Sequence, residues 1–145
     1  MTDLVGIDAA ELATMLRPSL LRLTRTIRNQ RADMSITLGQ LSALGSLEKS
    51  GPISAGELAS CERVQPPSMT KVIASLEQRG LVRREAHPTD KRQVIIALTD
   101  SGRTLLDSER RSRDAWLLQR FSSLTAAERM LLLELVPVLD KLAEL

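Results

Sequence analysis

The chain has 145 residues, of which 43% are hydrophobic and 26% charged, enough for one domain with its own core. No run approaches 18 apolar residues, so no transmembrane helix and no membrane partner are expected. The opening MTDLVGIDAAEL carries acids and no basic region, unlike a signal peptide. A single cysteine, Cys61, and a single histidine exclude an internal disulfide and a multi-cysteine zinc site; no metal or other cofactor is expected, and the expected compartment is the cytosol. The net charge of +2 and pI near 9.1 are compatible with nucleic acid and do not decide for it. Trp116 and Phe121 are the only aromatic residues, which argues against single-strand binders that stack bases on aromatic platforms.

The first helix is predicted from about Ala9 to Arg31. It opens on a capping-box pattern, Asp8 to Glu11, and carries a stripe of Leu12, Leu16, Leu20, Leu23 and Ile27. Pro18 should kink it. A second helix, about Leu38 to Lys49, follows the box Thr37 to Gln40 and stops at Gly51-Pro52; a short third, about Ala55 to Cys61, follows the box Ser54 to Glu57. Hydrophobic staples are available at three of these starts, pairing Ile7 with Leu12, Ile36 with Leu41 and Ile53 with Leu58. Pro66-Pro67 opens a fourth helix and Gly80 ends it.

Leu81–Glu85 and Gln93–Leu98 are rich in β-branched residues, and the charged stretch 86–92 between them reads as a hairpin tip. Thr99 can cap a long fifth helix to about Gln119, and a box from Thr125 to Glu128 starts a sixth that runs nearly to the end, with Pro137 kinking or breaking it. The expected fold is mainly α with a small β-hairpin, in the order α-α-α-α-β-β-α-α. This is a winged helix-turn-helix at 37–100, flanked by helical dimerisation segments at 1–36 and 101–145.

In such a module the second helix of the pair enters the major groove. Met69, Val72, Ile73 and Leu76 fall on one face of the fourth helix and should anchor it. Ser68, Lys71 and Ser75 align on another, beside Pro67, Thr70 and Gln78. Small side chains permit close approach, hydroxyls bond bases or phosphates, and lysine pairs with phosphate or guanine. Gln65 at the helix start and Arg84 in the first strand complete this candidate set. At the hairpin tip Arg92 is expected in a minor groove. Asp90 would repel phosphate, so its expected role is to hold Arg92 or Arg84 by a charge-assisted hydrogen bond. His87 is expected to be solvated.

The stretch from Leu41 to Leu106 resembles the MarR family of bacterial transcription regulators. The likeness is carried in order by Glu57-Leu58-Ala59, Pro67 to Ile73, Leu76 to Arg84, Asp90-Lys91-Arg92 and Leu98 to Gly102. The chain departs from the family's usual pattern at the start of the fourth helix, where Gln65 and two prolines replace a small polar cap. The resemblance implies a homodimer with interlocking terminal helices whose two winged modules read a pseudo-palindromic, inverted-repeat operator. It also implies release by small, often anionic or phenolic, molecules. The expected function is sequence-specific binding of double-stranded DNA as a repressor. A small amphipathic anion is the expected effector, at the junction of the helical and winged parts, with Arg22 and Arg25 as candidate contacts. Two alternatives stay open: an oxidant sensor using Cys61, and a winged-helix module that binds protein instead of DNA. An enzyme is not expected, since the sequence offers no Ser-His-Asp set, glycine-rich phosphate loop or metal cluster.

Overall fold

A computed structural model describes Gly6 and residues 8–144. Helices α1 (Ala9–Arg28), α2 (Leu38–Ser50), α3 (Ala55–Glu62) and α4 (Pro66–Gln78) precede strands β2 (Val82–Ala86) and β3 (Val94–Leu98), and α5 (Asp100–Phe121) and α6 (Ala126–Glu144) follow. A two-residue strand, β1 (Ile53–Ser54), adds to the expected order. It pairs antiparallel with β3, so the sheet runs β1-β3-β2 with Ile53 opposite Ile96 and Val82 opposite Leu98.

Three of the four expected capping boxes form. Thr37 and Gln40, Ser54 and Glu57, and Thr125 and Glu128 each exchange the reciprocal bonds that satisfy first-turn N–H groups. Asp8 departs from expectation: its side chain makes no cap bond, and only its carbonyl receives the Leu12 N–H at 3.0 Å. The staple involving Ile7 lies outside the described residues. The other two staples put Ile36, Leu41 and Leu58 in the core, with Ile53 packed against it. Both α1 and α6 run through their prolines without a break.

The chain divides into two compact units, Arg31–Arg111 and the pair of segments Met1–Gln30 and Ser112–Leu145. In the first, Leu44, Leu47, Leu58, Ile73, Leu76 and Ile96 are fully buried and join α2, α3, α4 and the sheet into one core. Helix α5 enters this unit at Gly102. A methyl group there would stand 2.3 Å from the Leu81 carbonyl oxygen. Thr99 fixes the approach: its hydroxyl donates to the Gly80 carbonyl at 2.6 Å and receives the Gly102 N–H at 3.1 Å.

Helix α1 ends at Arg28, short of Arg31. The reason is a buried acid far along the chain. Glu109, 1% exposed, receives the N–H groups of Ala32 (3.2 Å) and Asp33 (3.0 Å), and its second oxygen faces the Arg31 guanidinium at 3.4 Å. Arg31 also donates to the carbonyls of Asp33 and Ile36. These bonds satisfy a non-helical turn that leads into α2.

In the second unit, no residue of α1 or α6 is buried in the single chain. Leu131 and Leu133 are about two-thirds exposed (66% and 65%), and Met130, Val136 and Leu142 are more than half exposed.

Candidate nucleic-acid interface

The helix pair is built locally. The Ser54 box starts α3, and Arg63 ends it in the left-handed region at φ 54°, which reverses the chain toward Gln65. Gln65 caps α4 with its backbone only: its carbonyl receives the N–H groups of Ser68 and Met69, and its side chain makes no cap bond. Pro66 and Pro67 occupy the first turn, where missing N–H groups cost nothing. Met69, Ile73 and Leu76 are then buried. The opposite face of α4 presents Pro67, Ser68, Thr70, Lys71 and Gln78 to solvent.

Two hydroxyls on this helix are committed. Thr70 donates to the Pro66 carbonyl at 3.0 Å, leaving its lone pairs outward. Ser75, expected on the exposed face, is half-buried and receives the Gln40 amide of α2 at 2.9 Å. A turn of α4 beyond Lys71, the helix has rotated enough to bring that position against α2. Ser75 therefore supports the helix where the sequence suggested a free contact.

The wing is the β2–β3 hairpin. Arg84 is exposed, and its Nε is paired with Glu77 Oε2 of α4 at 3.0 Å. Arg83 pairs with Glu85 and donates to the Leu98 carbonyl at 3.1 Å. Glu77 and Glu85 are thus already matched by arginines. Lys71, Lys91 and Arg92 are exposed and form no ion pair among the described residues. Asp90 differs from its expected role. It makes no ion pair with Arg92 or Arg84; its Oδ1 receives the Arg92 backbone N–H at 3.0 Å. It shapes the turn that carries Arg92 and leaves the guanidinium free. His87, expected to be solvated, is half-buried and bonded into the same turn.

A supporting cluster lay outside the sequence reading. At the end of α4, Arg79 donates to the Ser35 carbonyl (3.0 Å) and pairs with Asp33 at 2.9 Å. Hydrogen bonds from the Ser35 hydroxyl and amide hold the Asp33 carboxyl below its ordinary value, with Arg79 adding to the effect. The Glu57 carboxyl is likewise lowered, chiefly by the Ser54 amide and hydroxyl. Elsewhere, Cys61 is exposed near the end of α3. Arg22 and Arg25 are exposed on α1, Arg22 donating to Ser19 at 3.3 Å.

An uncommitted cation and small residues on one helix, with a pair of cations on a hairpin tip, suit a phosphate-lined groove. Comparisons with known proteins identify the family. A family model described as MarR family matches residues 36–94. An HTH-type transcriptional regulator of Mycobacterium tuberculosis is 44% identical over 123 residues, 85% of this chain and 86% of its own. The HTH-type transcriptional repressor NicR of Pseudomonas putida is 32% identical over 84% of this chain and 77% of NicR. The crystal structure of a proposed transcriptional regulator from Pseudomonas aeruginosa superposes with a TM-score of 0.82 at 30% identity, covering 94% of this chain and 95% of that one.

Proposed function

The chain belongs to the MarR family of DNA-binding transcriptional regulators, and from that premise we propose that it is a repressor acting as a homodimer on an inverted-repeat operator. The observation that carries the reading is the division of α4. One face is locked into the core by Met69, Ile73 and Leu76, while the other offers Ser68, Thr70 and Lys71 to solvent. A helix fixed on one side and small, polar and cationic on the other is built for a major groove. Residues 37–100 do the reading, with Arg92 in the adjacent minor groove and Gln65, Pro67 and Arg84 at the edges of the contact. The repressor role is supported by the likeness to NicR.

Pairing falls to the helices outside 37–100, whose apolar side chains stand exposed in the single chain. Release by a small amphipathic anion, with Arg22 and Arg25 as its contacts, completes the proposal. Such a ligand releases DNA only if it favours a conformation whose two α4 helices are mis-spaced. Linkage then requires DNA to weaken the ligand by the same factor, so calorimetry on free protein and on the complex must give different affinities.

Selection of bound duplexes from a genomic pool, followed by footprinting, tests the core of the proposal. The expected result is an inverted repeat whose half-sites lie about one helical turn apart, roughly 10 base pairs centre to centre. Deleting that repeat should raise expression of the adjoining gene. Protection with no repeated half-site would overturn the dimeric reading, and a fall in expression would overturn repression.

A further inference from the structure

We propose that His87 is a positioning residue for Arg92, acting through the backbone of the wing turn. The inference rests on the assignment of Arg92 to DNA and names the side chain that sets how Arg92 is presented. The last paired residues of the hairpin are Ala86 and Val94. Beyond them the His87 N–H donates to the Gln93 carbonyl at 3.0 Å, which closes the tip. Pro88 follows. It holds His87 in an extended conformation and brings no N–H of its own.

The next two amides, Thr89 and Asp90, fall outside the ladder and need an acceptor. Both converge on one atom, His87 Nδ1, at 3.2 and 3.1 Å, and the Thr89 hydroxyl lies 3.2 Å from it. Backbone N–H groups can only donate, so Nδ1 must carry its lone pair and the ring proton sits on Nε2. This anchors Asp90, and Asp90 in turn makes the tip. Its carbonyl receives the Gln93 N–H at 3.0 Å and its Oδ1 receives the Arg92 N–H at 3.0 Å. That is an Asx-supported turn with Lys91 and Arg92 at its central positions. The order of dependence is His87, then Asp90, then Arg92.

A histidine that met phosphate directly would behave differently, because its contribution would be independent of Arg92. The two roles separate in a double-mutant cycle on the selected duplex, using anisotropy at fixed salt with H87A, H87N, R92A and H87A/R92A. Asparagine places an acceptor oxygen where Nδ1 stands; alanine removes it. H87A should weaken binding about fivefold, the net worth of roughly one hydrogen bond. H87N should stay within about twofold of the wild type, and H87A should add nothing in the R92A background. Amide hydrogen exchange on free protein gives a readout without DNA: Asp90 and Arg92 should lose protection in H87A and keep it in H87N. The proposal is overturned if H87N is as weak as H87A, if the loss persists unchanged in the R92A background, or if exchange at both amides ignores the substitution. If R92A alone leaves affinity unchanged while exchange still responds to H87A, the DNA assignment of Arg92 has failed and His87 only shapes a turn.

Discussion

Glycine 102 and lysine 71 show two ways in which single atoms matter here. A Cβ at 102 would meet the Leu81 carbonyl oxygen at 2.3 Å and Leu98 Cδ1 at 2.6 Å, so Gly102→Ala forces either α5 or the chain at Leu81 and Leu98 to move. Overpacking of this kind costs about 1–3 kcal/mol, and the urea midpoint should fall accordingly; an unmoved midpoint would mean that α5 is not seated on the chain at Leu81. Lys71 forms no ion pair among the described residues, so Lys71→Ala should leave stability intact and weaken duplex binding by about 1–3 kcal/mol if base readout is lost. Asp90→Ala should also weaken binding, although it removes a negative charge, because the Arg92 amide loses its acceptor. Tighter binding by that variant would reduce Asp90 to a repulsive surface acid. At this scale the capping boxes were legible because both partners lie within four residues. Asp90 was legible as a support for Arg92, but spacing alone could not tell a bond to the guanidinium from one to the backbone. Ser75 was misplaced because its partner, Gln40, lies on another helix.

Helices and loops carry the next level of dependence. Glu109 is the clearest case: it is 1% exposed and faces Arg31, whose side chain is also buried. Removing one member of a buried pair leaves the other uncompensated, so Glu109→Ala should cost about 3–5 kcal/mol, read by denaturant unfolding. A loss no larger than that of a surface substitution would show that water reaches Arg31. The carboxyls of Asp33 and Glu57 contribute to the acid limb of stability. Both are lowered in the folded state from ordinary values of 3.8 and 4.5. Their contribution is therefore complete above the ordinary value and fades as pH falls below it toward the lowered one. Stability should decline below about pH 4.5, and Glu57→Gln should make that decline shallower; a steeper decline would reverse the assigned sign. The helices were legible from their caps and periodicity. β1 was not, because two residues give no alternation to read, and Ile53 already served as a staple. The early end of α1 was equally hidden, since the acid that satisfies residues 32 and 33 comes 76 or 77 positions later.

For the whole molecule, the contrast is between a winged unit with a closed core and terminal helices that bury nothing on their own. The exposed Met130, Leu131, Leu133 and Val136, spread over more than one face of α6, exceed what a solvated helix ordinarily shows. Light scattering at low micromolar concentration should return twice the chain mass of 16.0 kDa; a single-chain mass throughout that range would remove the pairing from the account. The winged architecture was legible because its signals are ordered along the chain and each is local. The contacts with DNA rest on side chains whose partner is absent from the sequence itself, so the sequence names the exposed face of α4 without naming the bases it meets. The most direct test of duplex recognition is therefore the salt dependence of Kd for the selected duplex, with the Arg92→Ala variant in parallel. Between about 50 and 200 mM salt the affinity of the native protein should fall steeply and linearly on logarithmic axes, and the variant's slope should be shallower by about two, one for each wing of the dimer. A flat line for the native protein would contradict the account, because a helix and wing that meet no phosphate release no counterions.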